Sequence, residues 1–231
     1  MVKLSALLLA IGYGLILWLF SAWRLKGDLN AKSRPLNDPL LAHHLDAMAD
    51  ALELERIEVH LYDVAPVNGL AAPDGRIFIT RGFLEKFRTG EVTSEELASV
   101  VAHELGHVAL GHARRRLIDF SGQNAIRAVL AGVLGRVVPL AGAALANTLA
   151  SLVAARLSRQ DEFEADAYAS ALLTRAGIGT AGQKSLFRKL DAMTGLGGRG
   201  APAWLMSHPR PEARIAAIEA LEARWGTSPE P

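Results

Sequence analysis

Hydrophobic and polar residues recur with different periods along the chain, and each period predicts a different element. Apolar residues recur at helical spacing over residues 39–54, and residues 57–62 alternate between apolar and polar side chains as a strand does. A Pro73-Asp74-Gly75 turn precedes a second predicted strand at residues 76–80, and residues 81–87 predict a short helix. The chain thus combines many helices with few strands, which predicts an α+β fold with a small sheet.

A longer helix is predicted to follow residue 93. Thr93 and Glu96 have the spacing of a capping box, in which each residue binds a backbone N–H of the other at a helix start. An apolar stripe then runs through the segment and surrounds His103 and His107. We therefore expect both histidines to point partly into the protein. The stripe consists of Leu97, Val100, Val101, Leu105 and Val108.

The N-terminal segment from Leu4 to Trp23 carries no charged residue, and about 20 apolar residues can cross a bilayer as a helix. A cleavable signal peptide is the alternative, but it needs a small-residue cleavage site, and Leu19 or Phe20 stands at that position. We predict an uncleaved transmembrane helix within residues 1–25 that contacts the lipid bilayer. Lys and Arg are more frequent after this span than before it, which favours a single-pass protein with its main domain on the cytoplasmic side. The extracytoplasmic side is the alternative.

The sequence pattern divides the rest of the chain into three parts. Residues 26–38 are predicted to be a linker, residues 39–225 one catalytic domain and residues 226–231 a flexible tail. Within the domain, residues 125–157 are rich in alanine, glycine and leucine, so a second span is conceivable. One further crossing would place His107 and the residues after 157 on opposite sides of the membrane, so they could not belong to one catalytic domain. A buried or interfacial helical pair is therefore the favoured interpretation.

Composition narrows the class of protein. The net charge is +1, and the basic residues do not form a long run, so nucleic acid is not an expected partner. The chain has no cysteine, which excludes disulfides, thiolate metal ligands and cysteine nucleophiles. Nothing in the composition indicates an oligomeric state.

The motif His103-Glu104-Leu105-Gly106-His107 carries the main chemical signal. Residues four apart on a helix share one face, so His103 and His107 can direct their rings at one metal ion, and zinc suits such ligands. Glu104 is rotated by about 100° from His103, beside the metal, where it could accept a proton from an attacking water. The motif thus predicts two ligands and a general base.

A third ligand is expected because catalytic zinc usually has three protein ligands. The metzincin pattern would require a glycine at 110 and a histidine at 113, and the chain has Leu110 and Ala113. His112 is predicted to face away from the metal. Glu162 and Asp166 lie four apart in a helical pattern, so one of them could bind zinc while the other accepts the distal N–H of a ligand histidine.

These segments resemble the M48 family of membrane-associated zinc metallopeptidases. The resemblance rests on the H-E-x-x-H motif, the S-R-x-x-E-x-x-A-D pattern at residues 158–166, residues 207–209 (Ser-His-Pro) followed by Arg214, and the stretch at residues 68–82. It implies a mainly helical zincin fold of the gluzincin type, with one Zn²⁺ per chain. It also implies that Glu162 is the third ligand, so that Asp166 is the residue that accepts the distal N–H of a ligand histidine. The single predicted span indicates a compact member.

The resemblance also implies an endopeptidase. His208 is a candidate catalytic residue or a fourth ligand in a resting state, and Arg214 and Asn68 are candidates for contacting the oxyanion or the substrate. If residues 76–80 form an edge strand, an unfolded polypeptide could add to it through backbone hydrogen bonds, which would suit quality control of unfolded or misassembled proteins. Two alternatives remain, namely a chaperone-like membrane protein with a structural metal and a non-proteolytic zinc hydrolase.

Overall fold

A computed structural model describes residues 26–72, 74–112, 142–195 and 211–226, together with some residues between 12 and 24. The chain divides into two compact units, one of residues 29–110 and 162–231 and the other of residues 1–28 and 111–161. Every predicted metal ligand belongs to the first unit. The elements of that unit therefore decide how the site is built.

The sheet is formed by β1 (Ser33–Pro35), β2 (Val59–Tyr62), β3 (Gly69–Ala71) and β4 (Ile77–Thr80). Its strands are in the order β1-β2-β4-β3, with β2 parallel to β4 and the two outer strands antiparallel to their neighbours. In the register, Val59 lies opposite Ile77, and Leu70 lies opposite Phe78. The result is a small mixed sheet whose edge strands are three residues long.

The predicted strands at 57–62 and 76–80 are present as β2 and β4. β4 is not an edge strand, however, because it pairs with β2 on one side and with β3 on the other. The condition that residues 76–80 form an edge strand is therefore not met, and β3 occupies that edge instead. β1 also lies inside the segment that was predicted to be a linker, 26–38, so this segment is at least partly folded.

Helices account for most of the described residues, which confirms an α+β fold with a small sheet. The predicted helix at 39–54 is present over residues 39–51, and the predicted short helix at 81–87 is present over residues 81–88. The helix that carries Glu162 and Asp166 runs over Gly142–Arg175. The helices are α1 (Pro39–Ala51), α2 (Arg81–Arg88), α3 (Ser94–Ala109), α4 (Gly142–Arg175), α5 (Ala181–Gly195) and α6 (Pro211–Trp225).

The start of α3 is held by the predicted capping box. The hydroxyl of Thr93 accepts from the backbone N–H of Glu96 at 3.3 Å, and the Glu96 carboxylate accepts from the backbone N–H of Thr93 at 2.9 Å. The same carboxylate also accepts from Ser185 at 2.6 Å and from Lys189 at 2.7 Å, both on α5. Glu96 therefore fixes the first turn of α3 and attaches this helix to α5.

The core lies between the helices and one face of the sheet. Ile77 and Ile79 of β4 pack into the same buried cluster as Leu97 and Val101 of α3. Phe78 points to the other face, where it forms a smaller buried cluster with Leu29 and Ala72. Both faces of β4 are thus covered, which explains why all four of its residues are buried.

Within the described part of the chain, no helix has the length and apolar character needed to cross a bilayer. The predicted anchor at 1–25 falls largely outside the described residues, and so do residues 125–141 of the alanine-rich segment and most of the predicted tail at 226–231. Residues 142–157 are helical as part of α4.

Close packing between α3 and α4 depends on a glycine of the H-E-x-x-H motif. A Cβ atom on Gly106 would lie 2.9 Å from the carbonyl oxygen and 3.0 Å from the Cα of Ala165. Only a residue without a side chain permits this approach of two backbones. Gly106 therefore sets the distance between the helix that carries the histidines and the helix that carries Glu162.

We expect Gly106→Ala to lower the free energy of unfolding by about 1–3 kcal/mol, because the added methyl group forces the two backbones apart. Urea denaturation of the variant measures this change. Gly27→Ala is a matched control, since Gly27 is helical and no atom lies within 4 Å of its added Cβ. Equal stability of the two variants would show that the contact between α3 and α4 is not tight.

Candidate metal centre

Two helices bring three potential metal ligands to one point. His103 and His107 stand one turn apart on α3, and their Nε2 atoms are 3.1 Å apart. Glu162 of α4 places Oε2 3.3 Å from His103 Nε2 and Oε1 3.5 Å from His107 Nε2. His103 and Glu162 are each 2% exposed. The two imidazoles and the carboxylate form a compact triangle of ligand groups, in which a different oxygen of Glu162 lies nearest each histidine.

The triangle has the dimensions of a zinc site. Zn–N and Zn–O bonds of about 2.0–2.1 Å in a tetrahedron place neighbouring ligand atoms about 3.3 Å apart. The two Nε2 atoms are 3.1 Å apart, and each has one Glu162 oxygen at 3.3 or 3.5 Å, which is close to that value. Two imidazole nitrogens and one carboxylate are also a ligand set that catalytic zinc uses. The residues present therefore fit zinc.

Asp166 orients the first histidine. His103 Nδ1 donates to Asp166 Oδ1 at 2.9 Å, so the opposite nitrogen, Nε2, is left to face the ligand triangle. A carboxylate that receives the distal N–H of a ligand histidine fixes its tautomer and its ring orientation. Glu162 and Asp166 thus divide two roles between them, one at the triangle and one behind His103.

Arg214 lies behind Asp166 and not in a substrate cleft. Its Nε donates to Asp166 Oδ2 and its Nη2 to Asp166 Oδ1, both at 2.6 Å, and the guanidinium stacks 4.2 Å from the centre of the Phe187 ring. The Arg214 side chain has no exposed surface. The prediction that it contacts the oxyanion or the substrate is therefore corrected. Arg214 balances the charge of the carboxylate that orients His103.

The electrostatics of the cluster favour a cation at the triangle. Burial alone would raise the pKa of Asp166, but the charge and hydrogen bonds of Arg214 outweigh it and lower that pKa. Burial would lower the pKa of His103, but the carboxylates of Asp166 and Glu162 raise it to about 9. Glu104, Glu162, Asp166 and Arg214 are all buried, and their ionised forms sum to −2 (three negative charges and one positive), of which a proton on metal-free His103 compensates one. A divalent cation would neutralise this charge.

Glu104 lies beside the triangle and against β3. Its side chain is 4% exposed, and burial raises the pKa of its carboxyl. The backbone N–H of Ala71 donates to this carboxylate. A Cβ atom on Gly69 would lie 3.5 Å from Glu104 Oε1, so the edge strand passes close to the predicted base. A raised pKa and a fixed orientation suit a group that accepts and returns a proton.

The other predicted residues have different positions. Asn68 immediately precedes β3, where its backbone N–H donates to Thr80 Oγ1 at 2.9 Å, and its side-chain oxygen is buried without a hydrogen-bond partner among the described residues. His208 lies outside the described residues. His112 is 1% exposed, with Nε2 3.8 Å from Asp161 Oδ1, so it is a buried histidine and not a surface one.

Sequence reasoning missed the polar residues that hold α5 and α6 in place. Lys184 donates to Glu222 at 2.8 Å, and Thr180 also hydrogen-bonds Glu222, all within the buried interior. Ser170 Oγ lies 2.9 Å from both the backbone carbonyl oxygen of Asp166 and Gln183 Oε1, and its one proton can be donated to either. These residues have no motif, because ordinary lysine, threonine and glutamine positions on helices look like exposed surface in a sequence.

The comparisons with known proteins agree with this geometry. A sequence model described as peptidase family M48 matches residues 35–222. Metalloprotease LoiP of Escherichia coli K12 is 33% identical over 167 residues, which cover 71% of this chain and 64% of LoiP. The beta-barrel assembly-enhancing protease of the same organism is 30% identical over 203 residues, covering 82% of this chain and 40% of that protein. A protease HtpX homolog of Bordetella avium is 29% identical over 203 residues, covering 75% and 68%. The chain thus spans less than two thirds of the first two of these relatives.

We expect Asp166→Asn to weaken zinc binding by about 10- to 100-fold, because the amide no longer attracts the distal N–H of His103 as a carboxylate does. Competition with a chromophoric chelator measures the affinity. Asp46→Asn makes the same chemical change at an exposed position of α1 and should leave the affinity unaltered. Equal zinc affinities of the two variants would show that Asp166 does not contribute to metal binding.

Removal of the positive charge behind Asp166 should be costly. Arg214→Met leaves a buried carboxylate without its cation, and we expect a loss of about 3–5 kcal/mol in the free energy of unfolding. The double variant Asp166→Asn/Arg214→Met should lose less than the sum of the two single changes, because neither charge is then left alone. Urea denaturation of the four proteins gives the coupling energy. Additive losses would contradict the pairing.

Proposed function

The chain belongs to peptidase family M48, and we propose that it is a zinc-dependent endopeptidase whose metal is held by His103, His107 and Glu162. The observation that carries this proposal is the buried triangle of two imidazole nitrogens and one carboxylate, with Asp166 behind His103. One such site per chain would hold one Zn²⁺. When bound, the ion would act as a Lewis acid toward the scissile carbonyl and the attacking water.

Glu104 is the proposed general base. Its carboxylate accepts the proton of the attacking water and then returns a proton to the amine that leaves when the peptide bond breaks. Two features support this assignment: the raised pKa that burial gives its carboxyl, and the hydrogen bond from Ala71, which limits its orientation. His208 is the remaining candidate for stabilising the oxyanion, and Asn68 is a candidate for a substrate contact.

An extended polypeptide is the proposed substrate. Leu70 pairs with Phe78 in β4, and in an antiparallel ladder the backbone groups of the flanking residues then face the open edge. Gly69 and Ala71 are those residues. The backbone N–H of Ala71 already donates to Glu104, so a substrate strand would pair with Gly69 at this edge and lie against the predicted base. A substrate strand could add at this edge through backbone hydrogen bonds, which carry little sequence preference. Such binding suits unfolded chains better than folded ones.

The physiological setting that we propose is protein quality control at a membrane. The support is the uncharged segment at residues 4–23, which is long enough to anchor the chain, and the broad substrate tolerance expected of an edge strand. Among the relatives, one is named a beta-barrel assembly-enhancing protease, and misassembled proteins are substrates consistent with this setting. Lys and Arg are more frequent after the span than before it, which favours a catalytic domain on the cytoplasmic side.

We expect Glu104→Gln to lower the rate of casein cleavage by at least about 100-fold while zinc stays bound, because the amide cannot accept a proton. Cleavage by the purified full chain is followed by release of soluble peptides, and the zinc content is measured on the same samples. Chelation of the unmodified protein should abolish cleavage, and added zinc should restore it.

Two results would contradict the proposal. Full cleavage by the Glu104→Gln variant would show that Glu104 is not the general base. Suppression of casein aggregation without any cleavage would favour a chaperone-like protein with a structural metal. Hydrolysis of small esters or amides without hydrolysis of casein would favour a non-proteolytic zinc hydrolase.

A further inference from the structure

A second cavity, distinct from the metal centre, carries an excess of positive charge. It has a volume of about 630 Å³ and lies between the start of β1, β2 and α2. Four cationic side chains and two carboxylates line it. The volume is in the range of pockets that bind small ligands. The charged lining residues are Lys32, Arg34, Arg81, Arg88, Asp63 and Glu85.

The two carboxylates are already engaged by one of the cations. Arg81 donates to Asp63 Oδ1 and to Glu85 Oε1, both at 2.8 Å. Arg34 and Arg88 are exposed, and neither forms an ion pair with any residue in the described part of the chain. The charged lining groups therefore sum to +2 (four positive and two negative groups), and Arg34 and Arg88 are the two cations that we expect to meet a ligand.

The two exposed arginines suit a phosphate group. Guanidinium groups bind phosphate oxygens through paired, charge-assisted hydrogen bonds. We propose that this cavity binds a phosphate group, and that the phosphate belongs to the headgroup of an anionic lipid.

The position of the cavity along the chain favours a lipid over free phosphate. The cavity lining begins at residue 31, eight residues after Trp23 at the end of the predicted span (31 − 23). Eight residues extend over at most about 30 Å, so the proposed anchor at residues 4–23, on which this inference rests, makes Lys32 and Arg34 juxtamembrane residues in the sequence. Basic side chains at such a position are attracted by the negative surface of anionic membranes. Headgroup binding would hold the catalytic unit in a fixed orientation to the bilayer.

Native mass spectrometry of the full chain in an uncharged detergent tests the proposal, because it counts bound lipids directly. Phosphatidylglycerol, phosphatidylcholine and inorganic phosphate are added in separate titrations. We expect phosphatidylglycerol to bind most tightly, and the double variant Arg34→Gln/Arg88→Gln to bind it at least about tenfold more weakly. The charge-preserving variant Arg34→Lys/Arg88→Lys should keep most of the affinity.

The matched control is Arg175→Gln/Arg188→Gln, which removes two exposed arginines from outside the cavity and changes the net charge by the same amount. It should bind phosphatidylglycerol like the unmodified chain. Equal weakening in both double variants would show unspecific attraction and overturn the proposal. So would binding of phosphatidylcholine, or of inorganic phosphate, as tightly as phosphatidylglycerol. Unchanged zinc content in the cavity variant shows that its fold is intact.

Discussion

The buried carboxylate of Asp166 is the interaction on which the rest of the metal centre depends. It receives the distal N–H of His103 on one side and two hydrogen bonds from Arg214 on the other. A buried carboxylate is tolerated only when its charge is compensated, and Arg214 supplies that compensation from a position with no solvent exposure. The orientation of the first histidine therefore rests on a fully buried ion pair. The charge that remains after this pairing is negative, and it favours a cation between His103 and Glu162.

The scaffold around this pair explains why its members meet. Gly106 lets the backbones of α3 and α4 approach, so that residues on two helices can share one ion. Glu96 attaches the start of α3 to α5, and Lys184 of α5 pairs with Glu222 of α6 in the interior. Arg214 is carried on that same helix, α6. Polar contacts thus link the first turn of the histidine helix to α5, and α5 to the helix whose Arg214 holds Asp166 behind His103.

Much of this was predictable from the sequence, because helical spacing converts directly into shared faces. A helical period is enough to put His103 and His107 on one face, and likewise Glu162 and Asp166, whereas the choice of Glu162 as the ligand comes from the family resemblance. The capping box at Thr93 is confirmed in detail. Three-residue strands escaped detection because they are too short to show a period, so β1 was assigned to a linker. The edge position of β3 depends on pairing between distant segments, which local patterns do not encode. The sequence makes Arg214 a candidate for an oxyanion or substrate contact, because a motif shows that an arginine is present but not which way its side chain points.

The most direct test of the central claim is the position of the metal in crystals of the full chain grown with zinc. Anomalous difference maps collected at the zinc absorption edge locate the ion independently of any assumed ligand. We predict one peak per chain, about 2 Å from His103 Nε2, His107 Nε2 and a Glu162 carboxylate oxygen. A principal peak away from these three atoms, or zinc held without Glu162, would contradict the proposed metal centre.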